Sequence, residues 1–78
     1  MNYSSGEIVK LGGRVSLGDD SGGEIVFLID TNEFSPEFPE AQWRGFLKKG
    51  VMIHFPQFGL IHYENEIEPD VKLIARKS

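Results

Sequence analysis

Cysteine is absent from this chain. That excludes a disulfide framework, a thiolate nucleophile and the usual cysteine-rich zinc site. The core must therefore hold by packing alone. Long apolar runs are also absent, and none approaches the ~20 residues of a membrane-spanning helix. The opening Met1-Asn2-Tyr3-Ser4-Ser5-Gly6 lacks the basic-then-apolar layout of a secretory leader, so the expected location is cytoplasmic, with no membrane partner. Basic residues are in the minority, eight against twelve acids, for a net charge of −4. That balance disfavours non-specific binding to nucleic acid or to an anionic membrane.

Signatures of catalysis are missing as well. Gly12-Gly13 and Gly22-Gly23 do not build a phosphate loop, because neither a Gly-x-x-x-x-Gly-Lys-Ser/Thr run nor a helix-opening Gly-x-Gly-x-x-Gly is present. No serine lies in a nucleophile elbow. Glu37 and Glu40 sit about one helical turn apart, but acid–base work needs a carboxyl shifted by burial or by a like-charged neighbour. They read instead as charge at a helix N-terminus. His54 and His62 fall on one outer strand face, with Glu64 near, yet sequence places no third or fourth ligand. The expectation is a non-enzyme with no cofactor, no catalytic residue and no metal site.

What is present is an ordinary globular composition, 40% hydrophobic and 26% charged over 78 residues, enough for one domain, residues 1–78. Val9, Leu11, Val15 and Leu17 share one parity, which predicts a long first strand, apolar on one face and bent at Gly12-Gly13. The loop Gly18-Asp19-Asp20-Ser21-Gly22-Gly23 then turns the chain into a second strand, Glu24–Ile29. That strand is apolar on both parities and so should be central. The echo of Gly6-Glu7-Ile8-Val9 in Gly23-Glu24-Ile25-Val26 is too short to be a repeat.

Residues 30–40 carry turn formers and two prolines, which exclude central sheet. Pro39 suits the first position of a helix, Glu40 its positive end, Lys48-Lys49 its negative end and Gly50 its left-handed cap. The prediction is a short helix over Pro39–Lys49 with Trp43, Phe46 and Leu47 on one apolar stripe. Three further strands follow at Val51–Phe55, Leu60–Tyr63 and Val71–Ile74. Val51, Ile53, Phe55, Ile61, Tyr63, Val71 and Leu73 should face inward, with Met52, His54, Leu60, His62 and Lys72 outward.

The expected fold class is mainly β: a small five-stranded antiparallel SH3-like barrel with one short helix inserted between strands 2 and 3. An α+β sheet with the helix on one face is the alternative. The stretch Gly13-Arg14-Val15-Ser16-Leu17 to Gly23-Glu24-Ile25-Val26 resembles the first hairpin of KOW-type and other SH3-like domains. That resemblance implies contacts to RNA or protein through basic loops, but the matching loop here is Asp19-Asp20. The segment from Ile29 to Val51 also resembles short bacterial proteins, a resemblance to which no activity attaches.

The binding candidates lie in the insertion. Phe34, Phe38, Trp43 and Arg44 are interface-type residues, and Asp30, Glu33, Glu37 and Glu40 surround them with negative charge. Such a face would suit a protein with a basic surface, in the manner of an inhibitor or immunity-type protein. The same aromatics could simply cover a small core. A nucleic-acid or ribosome-associated module is the other expectation, and it would need Arg44, Lys48, Lys49, Lys72, Arg76 and Lys77 to merge into one patch.

Overall fold

A computed structural model describes residues 2–43, 45 and 47–75. The protein is mainly β. Its strands are β1 (Arg14–Leu17), β2 (Asp20–Leu28), β3 (Glu33–Phe34), β4 (Val51–Phe55), β5 (Gly59–Tyr63) and β6 (Val71–Ala75). One turn of helix, α1 (Glu40–Trp43), separates β3 from β4. All ladders are antiparallel, in the order β5-β4-β2-β1-β6, with β3 attached to β2 at Phe27↔Phe34 and Leu28↔Glu33.

Three expectations are corrected. The described residues form six strands rather than five, because two residues of the insertion, Glu33 and Phe34, find open backbone groups on β2. The helix expected over Pro39–Lys49 shrinks to Glu40–Trp43. Its helical spacing persists at one point, where the Leu47 N–H donates to the Trp43 carbonyl at 3.1 Å. Arg44 and Phe46 lie outside the described residues. Finally, no ladder joins β5 to β6 among the described residues, so hydrogen bonds do not close the sheet into a barrel.

The first strand is also shorter than its parity pattern. β1 starts only at Arg14. Ahead of it the chain hooks back on itself, with Asn2 bridged to Ile8 and the Tyr3 N–H donating to the Glu7 carbonyl at 2.9 Å. The bend expected at the glycine pair is real, since Gly12 has φ +79°. Val9, Leu11, Val15 and Leu17 still all reach one core, two of them through the hook and turn rather than through a ladder.

The β1–β2 turn is tighter than expected. Leu17 pairs with Asp20, leaving Gly18-Asp19 as a two-residue loop. Gly18 has φ +59° and Asp19 has an ordinary φ, as in a type II′ turn, whose twist suits a hairpin. Asp20 therefore opens β2. It is the one buried polar or charged residue among those described, at 2% exposure. Its Oδ1 accepts the Gly22 N–H at 3.0 Å and its Oδ2 the Gln57 N–H at 2.8 Å, tying the hairpin to the β4–β5 turn.

β2 serves two cores. The ladder to β4 shifts between Ile25↔Ile53 and Phe27↔Met52, so Val26 is an extra residue and the facing pattern changes there. Ile25 and Leu28 enter the main core with Tyr3, Val9, Val15, Val51, Ile53, Phe55, Tyr63, Ile67 and Val71. Val26, Phe27 and Ile29 enter a second core with Met52, on the other face of the sheet. The inward parity of β4, β5 and β6 holds. Met52 is the exception among the outward residues: it is buried because the insertion covers it.

Candidate functional site

The insertion begins where β2 ends. The Ile29 N–H donates to the Gly50 carbonyl at 2.9 Å, and the Asp30 Oδ1 accepts the Gly50 N–H at 3.1 Å, so the two ends of the segment are clasped together. Gly50 has φ +102°, the left-handed geometry expected of it. A side chain there would run into the Tyr63 carbonyl. Between these ends, β3 lays Phe34 beside Phe27. The Ser35 N–H donates to the Val26 carbonyl at 3.1 Å, and the Phe38 N–H to the Ser35 carbonyl at 3.0 Å.

Those bonds aim three aromatic rings at one. Phe34 stacks on Phe27 with centroids 5.2 Å apart and planes at 20°. Trp43 lies 5.4 Å from Phe27 and Phe38 6.2 Å from it, both tilted, and Phe38 and Trp43 are 6.0 Å apart. These separations lie in the attractive range for ring pairs. Phe27 is fully buried, while Phe34, Phe38 and Trp43 are each half-buried. The cluster is a lid on the second core, and part of each lid residue still reaches solvent. Two polar atoms within it, Ser35 Oγ and Trp43 Nε1, are buried and have no hydrogen-bond partner among the described residues.

The acids of the insertion differ in exposure. Glu37 and Glu40 are exposed and Glu33 is half-buried. Asp30 is exposed but its carboxylate already holds Gly50. The structure thus brings Phe34, Phe38 and Trp43 together, and it puts Asp30 to work in the clasp. Phe27, the hub, was not among the sequence candidates. Its signal was the double-sided apolar pattern of β2, which implies a second set of residues to cover the outer face.

The other candidates are more scattered. His54 is exposed opposite Leu60, and His62 lies opposite Met52 with its Nε2 at 2.9 Å from the Lys49 carbonyl. Both lie on the outer face, offset along the ladder. Among the described residues no group of three or more His, Asp or Glu is arranged to hold a metal. Lys48, Lys49 and Lys72 are exposed, and Arg76 and Lys77 lie outside the described residues. No helix among the described residues is long and apolar enough to cross a membrane. No protein-family model, curated protein or solved structure matches this chain.

Proposed function

We propose that this chain is a non-enzymatic, cytoplasmic protein-binding module of SH3-like build, whose acidic aromatic face docks on a basic surface of another protein. The observation that carries this reading is the half-buried Phe34–Phe38–Trp43 cluster, with Glu37 and Glu40 exposed in the same segment. Rigid aromatics with little side-chain freedom left to lose are efficient anchors, and rim carboxylates steer a basic partner. Support for the SH3-like build comes from the strand path. With β3 set aside, β1, β2, β4 and β5 pair in succession, and β6 returns to β1.

The test is capture of partners from lysate by the tagged chain, with and without nuclease. The triple variant Glu33→Lys/Glu37→Lys/Glu40→Lys runs alongside. One stoichiometric protein that survives nuclease and is lost with the variant is the expected result. A partner retained by the variant overturns the acidic face. An RNA-linked set that vanishes with nuclease overturns the protein-binding reading in favour of the nucleic-acid one.

A further inference from the structure

A groove of about 550 Å³ opens beside the first residues of β2, lined by Ser16, Leu17, Gly18, Phe58, Asp70 and Lys72. Phe27 lies seven residues along β2 from Asp20, roughly 20 Å at the rise of a strand, so the groove is separate from the aromatic lid. Its walls are held in place. The β1–β2 turn is the tight Gly18-Asp19 hairpin. The β4–β5 turn is closed by the Phe58 N–H on the Phe55 carbonyl at 3.2 Å and anchored by Asp20 on the Gln57 N–H. The entry to β6 is closed by the Val71 N–H on the Glu68 carbonyl at 3.0 Å.

Two features of these walls point to a ligand. Phe58 is 54% exposed although its ring is fixed edge-on against Phe55, with centroids 6.2 Å apart at 73°. An apolar surface that is both rigid and wet is ready to be covered without further ordering cost. Asp70, in the turn ahead of β6, and Lys72, within β6, are both exposed. Both line the groove, yet among the described residues they form no ion pair with each other. The groove therefore offers an apolar wall, an anion and a cation, with neither charge neutralised by the other.

We propose that this groove binds a free α-amino acid with a large apolar side chain. The ligand's carboxylate meets the Lys72 ammonium, its ammonium meets the Asp70 carboxylate, and its side chain lies against the exposed ring of Phe58. The volume is within the ~300–1,000 Å³ usual for small-molecule sites. A zwitterion uses both wall charges at once, whereas a simple acid or amine uses only one of them.

Amide spectra of the ¹⁵N-labelled full chain titrated with L-phenylalanine test this. N-acetyl-L-phenylalanine, which lacks the ammonium, and 2-phenylethylamine, which lacks the carboxylate, run beside it. The expected result is a saturable shift confined to amides around Leu17, Gly18, Phe58 and Lys72. Each analogue should bind about fivefold more weakly, the scale of one exposed charge pair. Lys72→Gln should weaken the two carboxylate ligands and spare the amine. Asp70→Asn should weaken the two ammonium ligands and spare the acetylated acid. Both residues are exposed, so neither variant threatens folding. No saturation, equal affinity for all three ligands, or shifts centred elsewhere overturns the proposal.

Discussion

Replacing Asp20 with asparagine changes almost no volume but breaks a specific arrangement. Both carboxylate oxygens accept backbone N–H groups, from Gly22 and from Gln57, and the residue is 2% exposed. An amide has one acceptor oxygen. Its NH₂ must face whichever N–H it cannot serve, so one charge-assisted bond is replaced by two donors in opposition. Losing a bond to a charged group costs ~1.5–3 kcal/mol, and a buried donor left unpaired adds ~1–3. Partial relaxation of the β4–β5 turn brings the expected total to about 2–4 kcal/mol. A domain of 78 residues holds only roughly 4–12 kcal/mol at ~0.05–0.15 per residue, so the loss should be plain. Urea unfolding followed by fluorescence of Trp43, the single tryptophan, reads it directly. In a thermal melt the midpoint should fall by roughly 8–32 °C at ~4–8 °C per kcal/mol. Asp19→Asn, at the exposed neighbour in the turn, is the control and should stay within ~0.5 kcal/mol. If Asp20→Asn also stays within ~0.5 kcal/mol, the carboxylate does not link the two turns and the reasoning fails.

Gly50→Ala should destabilise by roughly 3 kcal/mol or more, since it combines a positive φ with a collision against the Tyr63 carbonyl. Gly18→Ala shares the positive φ but meets nothing within 4 Å, and calorimetry should show it to be clearly milder. The Tyr63 hydroxyl is held above its ordinary value of 10.0, first by burial and then by the Glu68 carboxylate. The unfolded chain therefore gives up that proton at lower pH than the folded one. This stability is intact below about pH 10 and declines as pH climbs from there through the raised folded value. Stability measured across pH 9–12 should fall less steeply in Tyr63→Phe, and an unchanged slope would contradict the assignment.

Strand placement was legible wherever a period of two met a single core. Val51, Ile53, Phe55, Ile61, Tyr63, Val71 and Leu73 face inward as their alternation demands. Alternation failed at Met52 and at β2 for a related reason. Parity distinguishes inside from outside only when one face is wet, and here the insertion buries part of the second face. The helix was over-read because its end signals, Pro39, Glu40, Lys48-Lys49 and Gly50, are each local. The aromatic contacts of Phe38 and Trp43 to Phe27 are tertiary, and they set the path of the segment. Asp20 looked like a loop acid because its two partners include Gln57, 37 residues away, which no local pattern reveals. Within the candidate site, the residue types and their neighbourhood were readable. The hub Phe27 and the clasp role of Asp30 depend on long-range pairing and were not.

The bulge at Val26 makes an irregular loop indispensable. Surface connections usually tolerate shortening, because little of the fold rests on them. Here the connection from Asp30 to Gly50 supplies the partly buried apolar side chains, Phe34, Phe38, Trp43 and Leu47, that pack over Val26, Phe27, Ile29 and Met52. Replacing it with a tight turn would leave four apolar side chains bare on the flat of a sheet, a patch suited to self-association. Such a truncation should be lost to aggregation before it is lost to unfolding. Natural or engineered length variation in this molecule is therefore more readily accommodated at the exposed 64–66 stretch than in the segment whose sequence looks most like a loop.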